Sequence, residues 1–106
     1  MCAEAGGVDG DFKGPLDSWK AKFKEKNGVE VQIYAPYVYD AVQALAAAME
    51  KAGSIDPEKY LPEVGKIDHK GLTGPIVFDE KGDIKNGALT LFTYKGGART
   101  QISVVR

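Results

Sequence analysis

Apolar residues along this chain fall into blocks whose spacing changes from one stretch to the next. Leu16, Trp19 and Phe23 recur at intervals of three and four, which places them on one face of a helix. Pro15 suits the first helical position because it has no N–H to satisfy. Asn27-Gly28 ends the helix, glycine tolerating the left-handed backbone there. Val29, Val31 and Ile33 alternate with Glu30 and Gln32, which predicts a short strand or extended segment with one apolar face. Pro36 opens a second and stronger helix. Its apolar stripe is Val38, Ala41, Val42, Leu45, Met49 and Ala52, and Gly53 stops it. Ala44, Ala46, Ala47 and Ala48 leave little bulk on the flanks, so a neighbouring element can approach closely.

Asp56 followed by Pro57 predicts a cap and the start of a short helix, which Pro62 should distort within two turns. Lys66-Ile67-Asp68-His69-Lys70 reads as a polar link, and residues 71–74, bounded by two glycines, as a break. Residues 75–78 form a short strand and 79–83 a polar turn. Residues 88–94 form a strand with Leu89, Leu91 and Thr93 on one side and Thr90, Phe92 and Tyr94 on the other. Lys95-Gly96-Gly97 is a hairpin turn, and 98–105 returns as the last strand. At the start, only residues 1–4 suit a strand; with glycines at 6, 7, 10 and 14, the rest of that region reads as loop. Helices followed by a C-terminal hairpin indicate an α/β or α+β fold. No βαβαβ alternation is long enough to complete a doubly wound sheet.

Composition narrows the functional classes. The 106 residues carry 14 Lys and Arg against 15 Asp and Glu, a formal net charge of -1. That balance creates no long-range field for phosphate backbones or anionic lipid, so no nucleic-acid partner is expected. Lys20, Lys22, Lys24 and Lys26 do not change this, because a spacing of two spreads them over more than half of a helix circumference. The longest purely apolar stretch, residues 44–49, is far short of the roughly 20 residues that span a bilayer. Cys2 is the only cysteine, so no intrachain disulfide can form. The first residues have neither the basic start nor the apolar core of a secretory leader, and Cys2 lacks the context of a lipidation signal. For an exported protein, the leader and much else are expected to lie outside this sequence.

Candidate chemistry is sparse. His69 is the only histidine, in a polar link; Cys2 serves as its nucleophile only if the fold brings it across the chain, which nothing in the local sequence suggests, so a surface histidine is expected. Asp79, Glu80 and Asp83 invite a calcium reading, but Lys81 falls where a ligand belongs and Gly82 comes two positions early, so a polar turn is expected and no metal. The early glycines lack the strand and helix of a dinucleotide fingerprint, and residues 71–74 lack the ending of a phosphate loop. No catalytic residue and no cofactor are predicted. Tyr34, Tyr37 and Tyr39 flank Pro36 at a helix start and read as core, interface or ligand wall, with residue types alone favouring packing over ligand contact.

Order and spacing of several short motifs then carry a resemblance. Trp19 to Lys26 is a Phe/Lys-rich helix. It is followed by Tyr39-Asp40-Ala41-Val42, Ile55-Asp56-Pro57, Gly71-Leu72-Thr73-Gly74-Pro75, Asp79-Glu80-Lys81-Gly82-Asp83 and Tyr94-Lys95-Gly96-Gly97. Across essentially the whole chain this series resembles the C-terminal part of the branched-chain amino-acid (Leu/Ile/Val) binding proteins, the solute receptors of ABC importers. The resemblance implies an α/β fold, a partial type I periplasmic-binding-protein-like segment of sheet and helices ending in a β-hairpin. It implies that residues 1–106 are a single C-terminal fragment of a bilobed protein. It further implies a non-catalytic solute receptor, periplasmic or extracellular and membrane-associated, with a small amino acid as ligand and an ABC permease as partner. A related receptor domain for an amide, aromatic acid or urea, or an autonomous interaction module, is the alternative. Tyr34 matches the family's aromatic wall of the apolar side-chain pocket, and Tyr37 is its neighbour. The groups that hold the ligand's carboxylate and ammonium fall outside this sequence, so the isolated chain is expected to bind weakly or not at all. With neither sheet complete, it is expected to oligomerise, to exchange elements between copies or to adopt a compact rearranged form.

Overall fold

The computed structural model describes residues 1–5 and 10–106, with Ala5 described by its backbone alone. Among the described residues five strands and three helices follow one another in the order β1 (Cys2–Ala5), α1 (Lys13–Asn27), α2 (Ala35–Ala52), α3 (Pro57–Val64), β2 (Asp68–Gly71), β3 (Gly74–Val77), β4 (Leu89–Lys95) and β5 (Ala98–Val105). The strands form two small antiparallel sheets, one ordered β1-β4-β5 and one made of β2 and β3. Mixed helix and sheet agrees with the expected α/β class.

The first helix begins at Lys13, preceded by a 3-10 turn over Gly10–Phe12, rather than at Pro15 after a loop. Pro15 still sits in the first turn, where backbone N–H groups have no intrahelical partner and a missing one costs nothing. Gly6 and Gly7 of the expected loop lie outside the described residues. Leu16, Trp19 and Phe23 face one way as expected: Leu16 is buried, and Trp19 packs on Phe23 and on Tyr39 of α2 with ring centroids 5.5 and 5.3 Å apart. Gly28 adopts φ 69 and returns its N–H to Lys24.

Residues 28–34 form no strand. Alternation alone cannot make one without a partner ladder, and this segment serves as the connector into α2. A strand that the sequence hid lies further on. Asp68–Gly71, read as a polar link and a break, pairs with β3, His69 standing opposite Ile76 across a two-residue loop of Leu72 and Thr73. Asp56 caps α3 by accepting from the Glu58 N–H at 3.1 Å, and the eight-residue helix carries Pro62 through to Val64.

The bulky stripe of α2 lies largely open: Val38 and Val42 are 59% and 57% exposed and Leu45 is also exposed. The buried line is instead Pro36, Asp40, Ala44 and Ala48, spaced by four. Small side chains let α3 and β2 approach closely on that side. Glu63 of α3 bridges Lys51 of α2 at 3.2 Å and Lys66 at 3.5 Å, tying the two helices at their exposed rim.

In the three-stranded sheet, β4 is central. A bulge between Leu91 and Phe92 shifts its register with β5, so that Leu91 faces Ser103 while Phe92 faces Gln101. Gly96 and Gly97, both at positive φ (57 and 80), make the two-residue turn. Among the described residues the buried apolar side chains are Leu16, Pro36, Ala44, Ala48 and Ile67. The chain exposes 7563 Å². A folded protein of this mass exposes about 5,800 Å². Its radius of gyration is 15.7 Å, against about 13 Å for a compact domain of this length.

Candidate functional site

The connector and first turn of α2 bring Ile33, Tyr34 and Tyr37 to one side of a cleft of about 680 Å³. The opposite side is the tip of the β2–β3 hairpin, with Thr73, Gly74, Pro75 and Ile76. The run into β4, from Ile84 to Leu89, and Ala3 and Glu4 of β1 close the ends. The lining is mostly apolar. Both sequence-predicted tyrosines therefore stand in the same cleft, four residues or fewer apart on one helical turn. Tyr34 is 74% exposed and presents a ring with no covering layer. Tyr39, the third tyrosine of the cluster, points the other way and packs on Trp19.

Tyr37 sits between this cleft and a smaller basin of about 440 Å³ that reaches Leu16, Lys20, Phe92 and Arg99. Burial holds its phenol above the ordinary value of 10.0, and the negative charges of Glu4 and Asp40 push the same way against a smaller opposing effect of Arg99. Nearby, the Arg99 guanidinium lies 4.0 Å above the Phe92 ring and forks onto the Glu4 carboxylate, Nη2 donating to Oε2 at 3.0 Å and Nη1 donating to Oε1. This contact crosses from β5 to β1 over β4. Glu4 is thereby engaged by a cation of its own chain.

A residue quoted at the sequence level only as part of a motif proves central. Asp40 is 2% exposed, in the second turn of α2. Its Oδ1 accepts from the Leu72 N–H at 2.8 Å. Its Oδ2 accepts from the Thr73 N–H at 2.8 Å and from the Thr73 hydroxyl at 2.6 Å. A carboxylate removed from water requires such partners, and two successive backbone N–H groups with a hydroxyl supply them. Gly71 is the residue that lets the turn come so close: a Cβ there would lie 2.5 Å from Asp40 Oδ2. The available signal was an acidic residue falling on the same helical line as Pro36, Ala44 and Ala48, two turns from a polar surface.

Among the described residues no group of three or more His, Cys, Asp or Glu is placed to hold a metal ion. Asp79 is occupied with its own turn, as expected: Oδ1 accepts from the N–H groups of Lys81 and Asp83 at 2.8 and 3.0 Å. These bonds, Asp83's first, hold its carboxyl below the usual range. His69 belongs to a strand rather than a loop, and Cys2 stands in the other sheet, opposite Phe92. The arrangement offers an apolar recess with two phenols, suited to receiving an aliphatic side chain.

Comparison with known proteins follows the same direction. Residues 12–97 match the family model described as the receptor family ligand binding region. The chain is 36% identical over 91 residues to a leucine-, isoleucine-, valine-, threonine- and alanine-binding protein of Pseudomonas aeruginosa, covering 85% of this chain and 23% of that protein. It is 39% identical over 79 residues to a Leu/Ile/Val-binding protein homolog of Brucella abortus, covering 72% and 20%. The crystal structure of a leucine-binding protein from Thermotoga maritima superposes with a TM-score of 0.71 at 32% identity, covering 85% of this chain and 26% of that one. The chain thus spans about a quarter or less of the length of these relatives.

Proposed function

Because the chain belongs to the receptor family ligand binding region, we propose that it supplies the C-terminal share of a two-lobed, non-catalytic solute receptor. The ligand is a branched-chain or related small amino acid, and Tyr34 and Tyr37 wall the recess that takes its aliphatic side chain. The observation that carries this reading is the convergence of both tyrosines on one largely apolar cleft. The names of the relatives, which specify leucine, isoleucine and valine, support the ligand class. A receptor of this kind works by population shift: ligand touching both lobes favours the closed form, and an ABC permease at the membrane reads that form from the periplasmic side. The ammonium and carboxylate of the solute need charged or dipolar partners, which the rest of such a receptor would supply.

A chimera tests the reading. The matching 91 residues of the Pseudomonas aeruginosa protein are replaced by those of this chain, and leucine, isoleucine and valine are titrated by calorimetry. Binding is expected to survive, and Tyr34→Ala should weaken it about tenfold through lost apolar contact. A folded chimera that binds none of the three contradicts the receptor reading. Unchanged affinity in Tyr34→Ala contradicts the wall assignment. The 106-residue chain alone should bind these amino acids more weakly than the micromolar range, and micromolar binding by it would contradict the shared-site proposal.

A further inference from the structure

We infer that Asp40 is the positioning residue of the cleft: its carboxylate, clamped on the Leu72–Thr73 turn, fixes the hairpin wall relative to the tyrosine wall. The observations form a chain. Tyr34, Tyr37 and Asp40 belong to the same two turns at the start of α2, so the helix already sets the tyrosines relative to Asp40. Asp40 accepts from two successive N–H groups and one hydroxyl of the hairpin turn. Thr73 at that turn, with Gly74 and Pro75 directly after it, is the facing wall. One carboxylate thus joins the two sides of the recess.

The hairpin needs this clamp. Strands β2 and β3 have four residues each and pair with each other alone, and an isolated two-stranded hairpin is marginal in water. Sequence confirms how closely the clamp is built. A Cβ at Gly71 would lie 2.5 Å from Asp40 Oδ2, so any larger residue there must displace the carboxylate from its three donors. Asp40 therefore does not have to touch a solute to affect its binding. A wall held in place spares the ligand the cost of ordering it, and a loose wall lowers affinity in proportion to the fraction of time it is misplaced.

The inference rests on the cleft being the solute site, but its test does not involve a solute. Spin labels are placed at Glu50→Cys on α2 and Lys70→Cys on β2, in a Cys2→Ser background, and their separation is measured by double electron–electron resonance. Amide exchange of Leu72 and Thr73 is followed in parallel by NMR, with α2 amides as the control for folding. A single narrow distance and slow exchange at both amides are expected. Asp40→Asn, which turns one acceptor into a donor, should broaden the distance and speed exchange at both amides at least tenfold with α2 still protected. Gly71→Ala keeps the acidic group and should give the same result. Thr73→Val should give a smaller change and Thr73→Ser none, which keeps the test open if Asp40→Asn fails to fold. Narrow distances and unchanged exchange in Gly71→Ala and Thr73→Val would overturn the inference. Failure of the chimera to bind leucine would leave this result standing and remove only its relevance to a solute.

Discussion

At the scale of single residues, the one deeply buried carboxylate among the described residues, Asp40, serves structure. Asp40 and its three donors are exchanged for water contacts in the unfolded chain, so the net gain is modest, but removing only the acceptor leaves donors stranded. Asp40→Ala is expected to cost about 2–4 kcal/mol in urea unfolding, whereas Glu25→Ala on the exposed side of α1 should stay within about 0.5 kcal/mol. Tyr37 offers a second readout. Its phenol is held above 10.0, first by burial and then by Glu4 and Asp40. A group whose folded value is raised contributes stability below its unfolded value and loses it as pH rises through the folded one. Ring resonances of Tyr37 should therefore titrate above the ordinary phenol value of 10.0, and an NMR titration that puts them at or below it would contradict the placement.

At the scale of elements, the sequence was legible wherever a local rule decides. Glycines of the Gly96-Gly97 turn, the Asp56 cap, the stops at Gly28 and Gly53 and the face of Leu16, Trp19 and Phe23 all act within a few residues, and all stand where expected. Tyr34, matched by the resemblance to a pocket wall, and its neighbour Tyr37 both line the cleft, and their part in holding a solute is the proposal made above. Three features were not legible because they depend on distant partners. Strand β2 is polar and becomes a strand only through β3. Residues 28–34 alternate like a strand but find no ladder. The buried side of α2 is chosen by what α3 and β2 can approach, which favours its alanines over its valines. Two predictions belong here. Gly97→Val forces a β-branched residue to φ 80 and should cost about 1–2 kcal/mol. The Glu63 carboxyl is held below its ordinary range, chiefly by its hydrogen bond from Lys51. A lowered folded value means that its contribution is present above the unfolded value and lost as pH falls through the folded one. Acid titration should therefore loosen the α2–α3 contact below about pH 4, and Glu63→Gln should remove that part of the acid dependence, as followed by amide exchange in α3.

At the scale of the molecule, the surface is the central quantity. The chain exposes roughly 1,800 Å² beyond what its mass requires. That excess is more than twice the roughly 800 Å² one partner gives to a standard interface. Much of the apolar part is continuous in type: Val38, Val42 and Leu45 on α2, Ile33 and Tyr34 before it, Ile102 and Val105 on β5. Such faces on a soluble protein mark places where another layer packs. Exposed apolar faces of this extent are the pattern expected where a further layer, such as a second copy of the chain, packs against them.

Sedimentation velocity of the purified 106-residue chain, run from about one to several hundred micromolar, tests that account most directly. The apolar faces should find each other in the absence of anything else to cover them, so the weight-average mass should exceed the 11.4 kDa of one copy and rise with concentration. A species that stays at one chain mass throughout, with the frictional ratio of a compact sphere, would contradict it.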